Sequence, residues 1–309
     1  MMTGLIEISR TFRAMNTRVT AAVCVSRGHT AEAKAALEKV EATFRAAESR
    51  FSRFLPESEL STLNNAAGRP FRASRELFDL VAAALRYAGR TGGRFDPAIL
   101  PDLVAAGYDR SFERLSNKPR REVAAPRRVW SQIALDRAKR TITLPEGGAL
   151  DLGGIGKGWT ADRTAEVLRR FPGFIIDAGG DIVTGGTQAD GSPWEIGIAD
   201  PFDESRDLAA LAVSGGAVCT SSTRKRRWES GSGTAHHIID PAIGRPAAAG
   251  VVSATVRAES TAEAEVLAKV AVIAGAEEAF SLIAKWPATG GFLVLEDGTT
   301  RYSDGFPFA

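Results

Sequence analysis

Cysteine is almost missing from this chain: Cys24 and Cys219 are the only two in 309 residues. Both sit in apolar, strand-like surroundings, which argues against a disulfide framework and for buried thiols in a reducing compartment. Apolar residues make up 44% of the chain, yet no run approaches the roughly 20 that a membrane-spanning helix needs. The opening Met1 to Arg10 carries neither the apolar core of a secretory signal nor a lipid-accepting cysteine. The expectation is a cytoplasmic protein with no membrane span. Charge of one sign is lacking too, since 39 Lys and Arg stand against 37 Asp and Glu, a balance of +2. Electrostatics therefore implies no nucleic-acid partner. Arg224-Lys225-Arg226-Arg227 is a local basic run, for which a solvated strand or loop face is the plain explanation and attraction of a phosphate or an acidic protein the alternative. Internal repeats, sustained heptads and long low-complexity tracts are absent, so solenoids and coiled coils drop out. What remains is a globular chain long enough to bury a large core.

The most informative segment present runs from Ala149 to Asp162. A strand-like stretch ends in Asp151, passes through a glycine-rich turn containing Lys157, and becomes a helix from Trp159 onward. Glycines let backbone N–H groups approach an anion closely, and a helix N-terminus adds a favourable dipole. Lys157 supplies a countercharge. The segment has neither the G-x-x-x-x-G-K-[ST] spacing of a P-loop nor the G-x-G-x-x-G of a dinucleotide fold. Taken alone, it is equally compatible with an ordinary strand-turn-helix connection.

Periodicity predicts a strand over Thr17 to Ser26 and a long helix over Thr30 to Ser52. A second helix spans Ser74 to Thr91, with Ser74 as N-cap and Gly92-Gly93 as its stop. Between Ser111 and Gly148, charged and proline-rich stretches separate short strands, as in an exposed insertion. After a helix over Thr160 to Arg170 come strands at Gly173 to Val183, Trp194 to Ala199, Leu208 to Val213 and Val251 to Arg257. Helices follow over Thr261 to Ala274, stopped by Gly275, and over Ala276 to Lys285, with a terminal hairpin at Asp297-Gly298. Strands in the middle and helices on the flanks predict an α+β fold in which antiparallel sheets pack against helices.

Several further motifs occur in a fixed order: Ala14-Met-Asn-Thr17, Ser52-Arg-Phe-Leu-Pro56 leading to Asn64, Gly93-Arg-Phe-Asp-Pro97, the Ala149 to Asp162 segment, and Asp177-Ala-Gly-Gly-Asp181. Thr220-Ser-Ser222 and His237-Ile-Ile-Asp-Pro241 follow. Together they resemble the ApbE family, the FAD:protein FMN transferases, from about Met15 to about Gly275. The resemblance implies a single domain over residues 1–309, though length also permits two lobes meeting at an FAD site. It implies that FMN passes from FAD to a Ser or Thr hydroxyl of an acceptor flavoprotein, releasing AMP. That is phosphoryl-type transfer, in which positioning and charge neutralisation dominate.

The resemblance also assigns roles. His237 is the expected catalytic base or phosphate-orienting group, since imidazole titrates near neutral pH and the chain has only three histidines. His236, its neighbour, is expected to point elsewhere along a strand. Met15, Phe54, Arg94, Phe95, Asp96, Asp151, Lys157, His237 and Ile239 are expected to contact FAD. Hydroxyls of Thr220, Ser221 and Ser222 are expected at a turn, holding a phosphate or capping the backbone. Asp177 adds a negative charge near the site that the sequence does not explain. Many members of the family are membrane-anchored lipoproteins, and this chain departs from that pattern.

A second departure concerns the metal. The family takes Mg2+ on an aspartate and a threonine of the last helix and on a carbonyl of the glycine-lysine loop, here Gly156. The matching helix reads Ala264-Glu-Val-Leu-Ala-Lys269, so the ligands become Glu265 and Lys269. Two readings stand: the Lys269 ammonium replaces the cation, or Glu265 with Gly156 still holds Mg2+ while Lys269 points away. A surface ion pair between i and i+4 is the plain alternative. Beside transfer, two other activities fit the motifs: FAD binding without catalysis, and FAD pyrophosphatase action giving FMN and AMP.

Overall fold

The computed structural model describes residues 4–112, 129–203, 205–230, 233–287 and 289–309. The expected proline-rich stretches at 118–121 and 125–128 lie outside these residues. The frame is an antiparallel sheet of eight strands: β1 (Leu5–Ala14), β2 (Thr17–Ser26), β6 (Gly173–Ala178), β7 (Asp181–Gly186), β10 (Gly215–Ser222), β15 (Val251–Ala258), β16 (Gly290–Leu295) and β17 (Thr300–Tyr302), adjacent in that order. Smaller ladders surround it: β3 (Phe71–Arg72) and β4 (Ala134–Asp136) flank β5 (Thr141–Thr143), while β8 (Trp194–Ala199) pairs with β9 (Asp207–Val213). β11 (Arg227–Ser230) pairs with β12 (Gly233–His236), and β13 (Ile239–Asp240) with β14 (Arg245–Pro246). The expected α+β fold of antiparallel sheet against helices is what forms.

Seven helices complete the described residues: α1 (Thr30–Phe51), α2 (Glu59–Asn65), α3 (Arg75–Arg90), α4 (Leu100–Ala105), α5 (Gly156–Leu168), α6 (Thr261–Ala274) and α7 (Ala276–Ile283). α1 buries Ala33, Leu37, Val40, Phe44, Ala47 and Phe51, a stripe at helical spacing that covers β1, β2 and β6. Ser74 caps α3 by accepting from the Leu77 N–H at 3.2 Å. α6 is different: residues on every side of it are buried, as befits a helix enclosed by α5, β10 and β15. An enclosed helix that nevertheless carries a carboxylate and an ammonium group marks that place as unusual. No helix among the described residues is long and apolar enough to cross a membrane.

Three expectations need correction. The helix after the glycine-rich turn begins at Gly156 rather than near Trp159, because the N–H of Gly156 already bonds to the Leu152 carbonyl at 2.7 Å. Lys157 is therefore in the first helical turn. The stretch Gly173 to Val183 is a hairpin, not one strand. Its turn is Gly179-Gly180, both at positive φ, closed by the Gly180 N–H donating to Asp177 Oδ1 at 2.7 Å. Asp177 thus shapes a turn. Finally, Thr220, Ser221 and Ser222 lie inside β10, paired opposite Thr255, Ala254 and Ser253, not in a turn. The Thr220 and Thr255 hydroxyls meet at 2.8 Å.

α5 approaches α6 so closely that a Cβ at Gly158 would stand 2.6 Å from the Thr261 carbonyl oxygen. The crossing is fastened by Asp162 of α5, whose carboxylate accepts the Thr261 and Ala262 N–H groups at 2.7 and 2.9 Å. Gly158→Ala is expected to lower unfolding free energy by about 1–3 kcal/mol through overpacking. A thermal melt reads this directly, and an unchanged midpoint would show that the two helices can part.

Candidate active site

A cleft of about 850 Å³ opens beside this crossing, toward the upper end of the roughly 300–1,000 Å³ range of small-molecule sites. Met15, Phe54, Arg94, Phe95, Asp96, Asp151, Gly156, Lys157, His237, Ile239 and Lys269 all line it. Glu265 lies behind the wall with no exposed side-chain surface. Residues far apart in sequence are therefore brought to one place.

Met15 arrives on the two-residue turn between β1 and β2, where both Met15 and Asn16 adopt positive φ. Such a turn matches the twist of a hairpin, but a methionine in that conformation is uncommon, and here both turn residues line the cleft. Phe54 and Tyr108 form an aromatic wall, ring centroids 5.6 Å apart. The Arg53 guanidinium lies over both rings, at 4.1 and 4.7 Å. Arg53, which sequence reading overlooked, also grips Asp151 at 2.5 Å and the Tyr108 carbonyl at 2.8 Å. Asp151 further accepts the Gly153 N–H at 2.8 Å, so its carboxylate holds the glycine turn in place. Asp96 plays a similar part, accepting from the Ala98 N–H at 2.7 Å. Arg94 pairs with Glu278 of α7.

At the floor, two ammonium groups and two carboxylates interlock. Lys157 bonds to Asp181, the first residue of β7, and to Glu265 Oε1 at 2.8 Å. The other Glu265 oxygen accepts the Gly158 N–H at 2.8 Å, and Lys269 Nζ reaches Oε1 at 3.2 Å. Burial alone would raise the Glu265 carboxyl, but Lys157 and Lys269 hold it down at about 2. Burial and the charge of Glu265 push Asp181 the other way, above its ordinary value, against the pull of Lys157. Asp181 was visible in the Asp177 to Asp181 motif, yet nothing in a lone aspartate announced that it would meet Lys157.

These residues do not fit a magnesium ion. Mg2+ needs oxygen donors in near-octahedral array. Both Glu265 oxygens are already taken by cations or an amide, and the Gly156 carbonyl accepts the Thr160 hydroxyl at 2.7 Å. Lys269 brings a positive charge where an oxygen ligand is needed. Among the described residues no cluster of three or more His, Cys, Asp or Glu is arranged to hold a metal.

His237 and His236 separate as expected. His236 turns to the Ala247 carbonyl at 2.9 Å, whereas His237 faces the cleft. Burial, then the charges of Arg226 and Lys269, push the His237 imidazole well below its ordinary value, so the ring is neutral at neutral pH. Its Nδ1 is buried without a hydrogen-bond partner among the described residues, a state that costs about 1–3 kcal/mol and calls for an explanation.

The sequence profile of the ApbE family matches residues 15–292. This chain belongs to the ApbE family. Among its curated relatives, the FAD:protein FMN transferase of Treponema pallidum is 30% identical over 295 residues, covering 89% of this chain and 81% of that protein. The FAD:protein FMN transferase of Salmonella typhimurium is 25% identical over 280 residues, covering 86% and 79%. Among solved structures, the ApbE protein of Thermotoga maritima superposes with a TM-score of 0.85 at 24% identity, covering 97% of each chain. The flavinyl transferase ApbE of Pseudomonas stutzeri gives 0.82 at 20% identity, covering 97% and 95%. These likenesses extend the ApbE fold over nearly the whole chain.

Proposed function

We propose that this ApbE-family protein transfers FMN from FAD to a Ser or Thr hydroxyl of an acceptor protein, releasing AMP. The observation that carries the reading is His237: a neutral imidazole with an orphaned nitrogen, on the wall of the same cleft as Lys157 and Lys269. The cleft divides accordingly. Phe54 and Met15 offer apolar surface to the flavin or adenine ring, Ile239 packs behind them, and Arg94, Phe95 and Asp96 shape the adjoining wall. Lys157 and Lys269 face the diphosphate.

In the transfer, the acceptor hydroxyl oxygen forms a bond to the FMN phosphorus and the bond from that phosphorus to the AMP phosphate oxygen breaks. The hydroxyl proton goes to His237, and AMP leaves with the bridging oxygen and its added negative charge. The bound diphosphate opposes the cations that depress His237, so substrate itself raises the proton affinity of the ring. Charge neutralisation by Lys157 and Lys269 stands where a divalent ion would act, because a lysine ammonium is a compact point charge suited to phosphate. Two buried free thiols accord with a cytoplasmic placement.

Product analysis tests the reading. With FAD and a flavinylated-type acceptor domain, modified protein plus AMP is expected. Free FMN plus AMP would make the protein a pyrophosphatase, and unchanged FAD would make it a binding protein.

A further inference from the structure

The cations on the cleft wall are mostly committed to partners. Arg45 pairs with Glu41, Arg53 with Asp151, Arg94 with Glu278, Lys157 with Asp181 and Glu265, and Lys269 with Glu265. Arg226 also lines the cleft, and no carboxylate among the described residues pairs with it. It lies in the loop between β10 and β11, within the basic run for which the sequence left open a solvated face or the attraction of a phosphate. Its neighbours Arg224, Lys225 and Arg227 are exposed, whereas Arg226 is half-buried. One member of the run has turned inward, toward a cleft already holding Lys157 and Lys269.

A guanidinium at a surface is solvated on all sides and needs no partner. Arg226 instead gives up part of its hydration without gaining a carboxylate, and its field reaches His237. A half-buried guanidinium on a cleft wall, with no carboxylate among the described residues opposite it, is placed to meet an anionic ligand. The planar fork of arginine matches two phosphate oxygens at once, and it stays charged at any working pH.

We propose that Arg226 is a diphosphate-binding residue of the transfer site, approaching from the β10–β11 loop as Lys157 and Lys269 approach from α5 and α6. The inference rests on the flavin-transfer reading given above. Its chemical role follows from that reaction: as the phosphorus–oxygen bond to AMP breaks, negative charge accumulates on the departing phosphate, and Arg226 meets it without exchanging a proton. The exposed remainder of the run is not needed for this contact.

Equilibrium titrations with FAD, ADP and riboflavin separate the possibilities, since ADP carries the diphosphate without the flavin and riboflavin the flavin without phosphate. Arg226→Ala is expected to weaken FAD and ADP binding about 10–100-fold, the worth of a charge-assisted contact, and to leave riboflavin binding unchanged. Arg226→Lys should recover part of the loss, and Lys225→Ala should match the wild type. Melting curves for each variant establish that the fold is intact. Equal ADP affinity in wild type and Arg226→Ala would overturn the assignment, as would an equal loss in Lys225→Ala, which would indicate only a diffuse basic field. If the wild type itself binds neither FAD nor ADP, the flavin-transfer reading falls first and Arg226 with it.

Discussion

Replacing His237 with glutamine is expected to lower FMN transfer by about 10²–10⁴-fold, the usual contribution of a positioned proton acceptor, while FAD still binds. The reasoning starts from the ring's surroundings. Burial, Arg226 and Lys269 disfavour the imidazolium form, so the resting group is the neutral base. An orphaned Nδ1 is a loss that folding alone gives no reason to keep. Glutamine keeps a similar size and can hydrogen-bond, but it takes no proton at working pH. Single-turnover transfer followed by intact-protein mass, beside an FAD titration, separates the two effects. If the variant transfers FMN at the wild-type rate, His237 only shapes the cleft. If it loses FAD affinity and transfer in proportion, His237 is a binding residue.

Glu265→Gln is expected to lower unfolding free energy by about 3–5 kcal/mol, the loss typical of breaking a buried ion pair from one side. Glu265 has no exposed side-chain surface and counters two ammonium groups. After its removal Lys157 keeps Asp181, but Lys269 has no carboxylate among the described residues. The same carboxyl gives the pH dependence a sign. Its value falls from an ordinary 4.5 to about 2 in the folded protein. Its stabilisation is thus present above about pH 4.5 and is lost as the pH drops toward 2. Asp181, raised by burial, works in the opposite sense and makes the acid limb shallower. Urea unfolding at several pH values measures both. A change below about 1 kcal/mol for the glutamine variant would place the Glu265–Lys269 contact with ordinary surface pairs.

Much of this arrangement was legible in the residues, and the reasons are local. The helix from Thr261 to Ala274 was readable because Gly275 stops it, and the structure adds Ser260 as its N-cap. The strand from Thr17 to Ser26 announced itself by its alternation, and the terminal hairpin by Asp297-Gly298. The ordered motifs pointed to one site; Met15, Phe54, Arg94 to Asp96, Asp151, Lys157 and His237 line one cleft, while Thr220 to Ser222 do not.

What escaped depends on contacts across the sheet or between helices. Gly173 to Val183 read as one strand, since only the pairing of β6 with β7 makes Gly179-Gly180 a hairpin turn. The hydroxyls of Thr220 to Ser222 looked like turn chemistry because their neighbours in β15 are over 30 residues away in sequence. The early start of α5 follows from the bond of the Gly156 N–H to the Leu152 carbonyl inside a glycine-rich stretch, which carries no side-chain periodicity to announce a helix. Asp181, Arg53 and Arg226 are single residues whose meaning lies wholly in what they face.

The most direct test of the account is the intact mass of an acceptor domain incubated with this protein and FAD after exhaustive treatment with EDTA. A site neutralised by Lys157 and Lys269 predicts an acceptor carrying one FMN, at a rate within a few-fold of that with added Mg2+. An acceptor modified only when Mg2+ is restored would contradict the replacement of the metal by Lys269. An acceptor unmodified under both conditions would contradict the transferase itself.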